Sequence, residues 1–304
     1  MKILVTGATG LVGTNLVREL NVFRGKEHKI FRISRQLGFD LQNKKVVKYA
    51  IEKIKPDIVY HLAANAAESR GQVSPQDMSE NNLNIFLNVL VPSINAKVKR
   101  FIYTSSVAVY GDCELPYRED DYCKPKDVYG VNKLACEQIL KILSKVHNFE
   151  YTIFRPHNIY GPHQDMSNPY KNVVALFMRN IIENKENTIF GGGKMKRAFS
   201  YVDDVVDVLV ASLDEKFKNQ TVNLGSSIET DIGDLLKMIE KISGKKAIVK
   251  NLPARQQEIY LFLASHRKLN LLHPYHETPL LEGLQKTWDF LTLPKIKEME
   301  NEIK

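Results

Sequence analysis

Two apolar patterns alternate along the first half of the chain. Lys2–Val5 reads as a buried strand by the unbroken apolar run Ile3-Leu4-Val5, whereas Leu11–Leu20 repeats its apolar positions every three or four residues, as one face of a helix does. The alternation continues with strands at Lys29–Ile33, Asp57–Leu62, Arg100–Thr104 and Tyr151–Arg155, and with helices at Val46–Ile54, Asn81–Asn95 and Tyr129–Val146. Pro56 stands just ahead of the third strand. Short apolar strands alternating with helices predict an α/β architecture: a parallel sheet with helices on both faces.

The pattern changes after Arg155. Pro156–Arg197 is rich in Gly, Pro and Asn and holds one helical stretch, Val173–Ile182. A helix at Asp203–Leu213 and a strand at Thr221–Leu224 then return to the main sheet, and from Thr230 onward two amphipathic helices and irregular segments predict a smaller lobe. The division expected is a sheet domain from residues 1–165 and 203–225, and a lobe from 166–202 and 226–304, with substrate held between them.

Composition narrows the class. The chain has 304 residues, enough for one large core and a smaller one, and ordinary hydrophobic and charged fractions. No apolar run is long enough to span a bilayer, and MKILVTGATG reads as a strand entering a glycine turn rather than a signal peptide. The formal net charge of +8 is spread along the chain, with no basic cluster interleaved with aromatics, which argues for a solvated lysine-rich surface and against nucleic acid. A basic protein also suits an anionic substrate. Cys113, Cys123 and Cys136 form neither a CxxC pair nor a Cys/His metal spacing, so no metal or disulfide is expected and a reducing cytoplasm fits.

Three motifs carry chemistry. Gly7-Ala8-Thr9-Gly10-Leu11-Val12-Gly13 follows the first strand and opens the first helix. A dinucleotide pyrophosphate needs a tight turn, close backbone approach and the N–H groups of a helix N-terminus, and glycines at this spacing supply them in a Rossmann-type doubly wound fold. Tyr129-Gly130-Val131-Asn132-Lys133 is a YxxxK motif. Residues four apart share one helix face, and an ammonium beside a phenol favours phenolate, which makes Tyr129 an acid/base near neutral pH. YxxxK alone is an ordinary surface pair; its weight comes from company with the glycine turn and with Thr104-Ser105-Ser106 at the end of a strand. A serine hydroxyl there donates to and accepts from a substrate oxygen, and either serine also suits a local cap.

With TGATGLVG, DIVYHLAA, ENNLN, FIYTSSVAVYG, YGVNKLACE, FRPHNIYGPHQ, NVVALF and RAFSYVDDVVD, the chain resembles the extended short-chain dehydrogenase/reductase proteins, and within them the nucleotide-sugar epimerase/dehydratase family, from Met1 to about its end. The resemblance implies NAD as cofactor, a UDP-sugar as substrate and a homodimer built on the helix carrying Tyr129. It implies that Ser106 bonds the sugar O4, that Tyr129 is the catalytic base and that Lys133 also holds the nicotinamide ribose. Gly7, Thr9, Gly10, Leu11, Val12, Gly13, Leu62, Ala63, Ala64, Asn82 and Pro156 would line the cofactor, with Asp40 and Leu41 near the adenine. Asn158, Val174, Arg197, Arg255 and Glu258 would hold the nucleotide diphosphate and base. Guanidinium groups suit phosphate oxygens, which supports the two arginines independently. Phe262, seven residues after Arg255, matches a position that limits sugar bulk and favours glucose and galactose over N-acetylated sugars. His157 and His163 have no partner motif and are assigned no catalytic part.

Two departures refine the expectation. Dehydratases of this family carry an Asp-Glu pair after the Ser/Thr of the serine strand, and the 3,5-epimerases and epimerase-reductases carry a cysteine at the first of those positions; here the residues are Val107 and Ala108. A bare Ser-Tyr-Lys set oxidises and reduces one carbon, which favours 4-epimerisation. The second strand ends Ser34-Arg35 instead of in the acidic residue that binds the adenosine ribose in NAD-specific relatives. Serine followed by arginine permits a 2′-phosphate, so NADP and a 4-keto-sugar reductase stand as the alternative.

Overall fold

The apolar runs pair into one parallel sheet in a computed structural model of the chain, which describes residues 1–23, 28–66, 68–166, 172–254 and 261–293. The first half runs β1 (Lys2–Thr6), α1 (Leu11–Phe23), β2 (Lys29–Ile33), α2 (Lys44–Ile54), β3 (Ile58–His61), α3 (Glu68–Val73), α4 (Pro75–Ser79), α5 (Ile85–Asn95), β4 (Arg100–Thr104), α6 (Val128–His147) and β5 (Glu150–Pro156). The second half runs β6 (Ile159–Tyr160), α7 (Val173–Ile182), β7 (Glu186–Phe190), β8 (Lys196–Ala198), β9 (Ser200–Tyr201), α8 (Val202–Ala211), β10 (Gln220–Leu224), β11 (Glu229–Asp231), α9 (Ile232–Ser243), β12 (Ile248–Leu252), β13 (Leu261–Phe262), α10 (Arg267–Leu272) and α11 (Leu280–Thr292).

The main sheet has the order β10-β5-β4-β3-β1-β2, with every neighbouring pair parallel. The inner strands β1, β3 and β4 are mostly apolar because both faces are covered. In β1, Ile3 and Val5 pack into a core with Leu16 and Leu20 of α1 and Val205 and Leu209 of α8, while Leu4 faces the opposite core with Ile51 of α2, Phe86 and Leu90 of α5 and Leu140 of α6. The chain leaves β1 for β2 on one side and returns to β3 on the other, which opens a crevice at the C-terminal ends of β1 and β3, where such sheets bind ligands. A separate core joins Phe177 and Ile181 of α7, Leu235 and Ile239 of α9, and Leu284 and Trp288 of α11.

The structure departs from the sequence expectation in three places. The α2 helix starts at Lys44 because the Asn43 side chain accepts from Val46 N at 3.3 Å and caps it. The run expected as one helix from Asn81 begins as a π-helical turn over Glu80–Asn84 and becomes α-helical only at Ile85, and the polar stretch before it holds α3 and α4. The short strands β8, β11 and β13 form a small sheet of their own, and β7 pairs with β12 and β6 with β9. Strands of two to five residues paired across long loops leave no local periodicity to read.

Candidate functional site

The first glycine turn spans the crevice. Gly7 has φ +68, and a Cβ there would lie 2.8 Å from Ala63 N on the loop after β3. Gly13 lets α1 close onto the turn, since its Cβ would lie 2.2 Å from Gly7 O. Gly10 differs: it is exposed, and a Cβ there would meet only Gly7 O, at 3.3 Å. The surface above Gly10 is therefore open to a ligand beside the N-terminus of a 13-residue helix, flanked by half-buried Thr9, Leu11 and Val12. That arrangement fits a dinucleotide pyrophosphate.

Two walls rise from this floor. At one end Ser34 Oγ is turned inward and accepts from Leu37 N at 3.3 Å, while Arg35 is exposed and donates to Asn81 Oδ1 at 3.2 Å, with Asp40 at 3.5 Å. Gln42 also donates to Asn81 Oδ1, and the Leu41 carbonyl, on a buried residue, accepts from Asn88. Along the other wall run half-buried Leu62 and Ala63 and exposed Ala64. Asn82 is itself buried and locks this loop: its Oδ1 accepts from Asn65 N and its Nδ2 donates to Asn65 O, both at 3.2 Å. Asn81 and Asn82 thus grip both walls from the same π-turn, a device frequent at functional sites.

The serine turn and the YxxxK helix meet beyond β4. Ser106 Oγ accepts from Ala108 N at 3.1 Å and caps a short turn over Val107–Val109. Asp127 caps α6 by accepting from Gly130 N at 2.7 Å, which places Tyr129 in the first turn. Gly130 brings that turn against the serine turn, because a Cβ there would lie 2.5 Å from Ala108 O. Tyr129, Ala108 and Met78 form one buried cluster with Val128 at its edge.

One turn along α6, Lys133 is buried and donates from Nζ to Thr104 O at 2.7 Å. Its ammonium lies 5.6 Å from the Tyr129 ring centre and 4.9 Å from that of Tyr103. Burial pushes its pKa down to about 8, against the opposing pull of Cys136 and Glu137. His61, at the end of β3, lies 3.0 Å from Thr6 Oγ1, and burial followed by the Lys133 charge holds its pKa down to about 3, so it is neutral at physiological pH. Beneath them Arg155 and Glu137 form a buried two-point ion pair, 3.0 and 2.8 Å, which anchors β5 to α6.

The residues assigned to the substrate are less gathered. Pro156 ends β5 half-buried. Asn158 has φ +39 and donates to Ala198 O, joining the segment after β5 to that before β9. Arg197 lies on β8 and donates to the Lys196 carbonyl at 2.7 Å. Val174 is fully buried in the lobe core and its N–H is taken by Asn172 Oδ1, so neither group faces the crevice. Arg255 and Glu258 lie outside the described residues, and Phe262 is on β13. His157 is buried with Nε2 2.7 Å from Ser226 O. Among the described residues no group of three His, Cys, Asp or Glu is placed to hold a metal, and no helix is long and apolar enough to cross a membrane.

Sequence reasoning missed Met78, Asn81 and Asn65. They carry no motif and reach the site only through tertiary contact; the sole signal was the adjacent pair Asn81-Asn82 in ENNLN.

The chain is similar to known proteins over most of its length. Residues 3–225 match the NAD dependent epimerase/dehydratase family. UDP-glucuronic acid decarboxylase 1 of Xenopus tropicalis is 28% identical, over 99% of this chain and 73% of its own. The structure of a UDP-glucose 4-epimerase from Thermotoga maritima with UDP-glucose superposes with a TM-score of 0.87 at 27% identity, over 96% of this chain and 98% of that one. That of a UDP-glucose 4-epimerase from Thermus thermophilus with NAD gives 0.86 at 25% identity, over 96% and 100%.

Proposed function

Because the chain belongs to the NAD dependent epimerase/dehydratase family, we propose that it inverts a nucleotide sugar at C4, with UDP-glucose and UDP-galactose as the pair interconverted. NAD, when bound, supplies a hydride acceptor and donor for C4. The chain would hold it with the turn from Gly7 to Gly13, the walls at Ser34–Leu41 and Leu62–Ala64 secured by Asn82, Pro156 at the nicotinamide end, and Lys133 on the ribose. Tyr129 as phenolate takes the proton of the 4-hydroxyl and later returns it. Ser106 orients O4, and the Lys133 ammonium stabilises the phenolate. Arg197 and Arg255, with Asn158 and Glu258, hold the nucleotide diphosphate and base while the 4-keto sugar turns over. The proposed division of labour is residues 1–165 and 203–225 for cofactor and 166–202 and 226–304 for substrate.

The observation that carries this reading is the serine turn. Ala108 is buried against Tyr129 and Val107 is buried in the neighbouring cluster with Tyr110 and Tyr117, and neither bears a proton-transferring group. Elimination of water or inversion at a neighbouring carbon needs a second acid/base there, whereas C4 inversion needs only the Tyr129 proton. One observation favours a second reading, an NADPH-dependent reductase of a 4-keto sugar: Arg35 is exposed at the end of β2 and held by Asn81, where it can meet a 2′-phosphate. A homodimer through α5 and α6 is supported by exposed Val91 on the first helix and Val131, Ile142 and Val146 on the second.

The test is to supply UDP-galactose without added coenzyme and resolve the products by NMR. UDP-glucose formation, lost by roughly two to four orders of magnitude in Tyr129→Phe with NAD still bound, supports the proposal. Reduction of a 4-keto sugar at the expense of NADPH, with no C4 inversion, replaces it by the reductase reading. In that case Arg35→Ala weakens NADP binding far more than NAD binding.

A further inference from the structure

Met78 is fully buried although it sits in a five-residue helix, Pro75–Ser79, between two polar segments. Its contacts divide into two groups. On one side it shares a closed apolar cluster with the Tyr129 ring and Ala108. The fit there is tight, since a Cβ on Gly71 would come within 3.3 Å of its terminal methyl. On the other side its sulfur and its carbonyl lie 2.9 and 2.8 Å from Asn82 Nδ2 and share the two hydrogens of that amide with Asn65 O. Asn82 in turn holds the loop after β3 at both its N–H and its carbonyl through Asn65. The next residue, Ser79, exchanges a hydrogen bond with Asn132, which immediately precedes Lys133 on α6.

We propose that Met78 is a positioning residue for the reaction: its thioether fixes the Tyr129 ring relative to Lys133 and ties that ring, through Asn82, to the cofactor loop. The inference rests on Tyr129 being the acid/base proposed above. The phenol is held near Lys133 by packing as well as by the helix, because Val128, Ala108 and Met78 are the apolar walls of its cluster. The serine turn and the α6 backbone fix two sides, and Met78 fixes the side facing the cofactor loop. An unbranched thioether fills an irregular gap against an aromatic ring and still presents an acceptor to Asn82. Truncation leaves the ring room to tilt. A tilt that carries the phenol away from the ammonium makes phenolate harder to form, and misplacement by a fraction of an ångström slows proton transfer more than it weakens binding.

The experiment compares Met78→Leu, Met78→Val, Met78→Ala and Tyr129→Phe as NAD-loaded proteins. Two readouts are used. The first is the titration of Tyr129 itself, followed by 13C NMR of protein labelled in the tyrosine ring and assigned from the signal missing in Tyr129→Phe; it needs no substrate. The second is kcat and KM for UDP-galactose across pH. Expected is a rise in the Tyr129 midpoint of about one pH unit in Met78→Ala, less in Met78→Val, and only partial recovery in Met78→Leu, which restores the bulk against the ring but not the acceptor for Asn82. The acid limb of kcat should move up with it, and kcat should fall ~10- to 100-fold with KM and NAD affinity held within about twofold. If Met78→Ala does not fold, the Val and Leu variants carry the comparison. A Tyr129 midpoint and kcat equal to wild type in folded variants that only melt earlier would overturn the positioning role and leave Tyr129 in place. Full turnover in Tyr129→Phe would overturn the site reading and this inference with it.

Discussion

Gly130→Ala changes no chemical group in the site and moves only the distance between its two halves. The added Cβ would lie 2.5 Å from Ala108 O, 3.0 Å from Ala108 C and 3.1 Å from Pro125 Cβ. Carbon–oxygen contacts of this kind are not tolerated below 3.0 Å, so the helix and the serine turn must part by at least about 0.5 Å. Neither side yields cheaply: the helix is pinned through Asp127 to Gly130 N, and Ala108 N is bonded to Ser106 Oγ. Alanine is favoured over glycine within a helix by ~1 kcal/mol, while such overpacking costs ~1–3 kcal/mol. Net stability should therefore fall by no more than about 2 kcal/mol. Turnover should fall further than stability suggests. A misplacement of ~1 Å in a catalytic constellation costs ~100-fold, so half of that predicts a loss of ~10-fold or more. The glycine turn at Gly7–Gly13 is not touched, and NAD affinity should hold. Calorimetric Tm, NAD titration and UDP-galactose turnover on one preparation separate the three quantities. Wild-type kcat at an unchanged or raised Tm would refute the idea that close contact at Gly130 sets the active geometry.

Two further outcomes follow from buried charge. Glu137→Gln breaks the two-point pair with Arg155 and leaves that guanidinium uncompensated inside the protein, so urea unfolding should report a loss of ~3–5 kcal/mol; a change under about 1 kcal/mol would mean that the pair is solvated. His61 and His266 are held neutral, each with its pKa near 3, by burial first, with the Lys133 charge adding at His61 and the nearness of the His157 ring at His266. Between that value and the ordinary histidine range of about 6.5 the unfolded chain binds the extra protons, so stability is full above about pH 6.5 and falls as the pH drops towards 3. Denaturation midpoints should decline across that window, and less steeply in His266→Phe; midpoints independent of pH would show that both rings take up protons while folded.

The alternation of apolar runs and amphipathic helices by itself determined the parallel sheet, because residues sealed between two helical layers have no polar face to keep. Ile3, Leu4 and Val5 show why the run is unbroken: successive side chains enter opposite cores. The glycine turn was equally legible, since its glycines answer to backbone geometry within seven residues. Tyr129 and Lys133 could be paired from spacing alone because one helix carries both. What holds them could not. Gly130 against Ala108, Met78 against Tyr129 and Asn82 across to Asn65 join segments that no periodicity relates. The same limit applies at the ends of the crevice. Ser34 and Arg35 together read as a place for a 2′-phosphate, yet the serine hydroxyl turns inward to cap Leu37, and Arg35 is set by Asn81 from a π-turn that the helical pattern conceals. Local spacing decides which groups a helix or turn presents together, whereas only the packed chain decides what each of those groups touches.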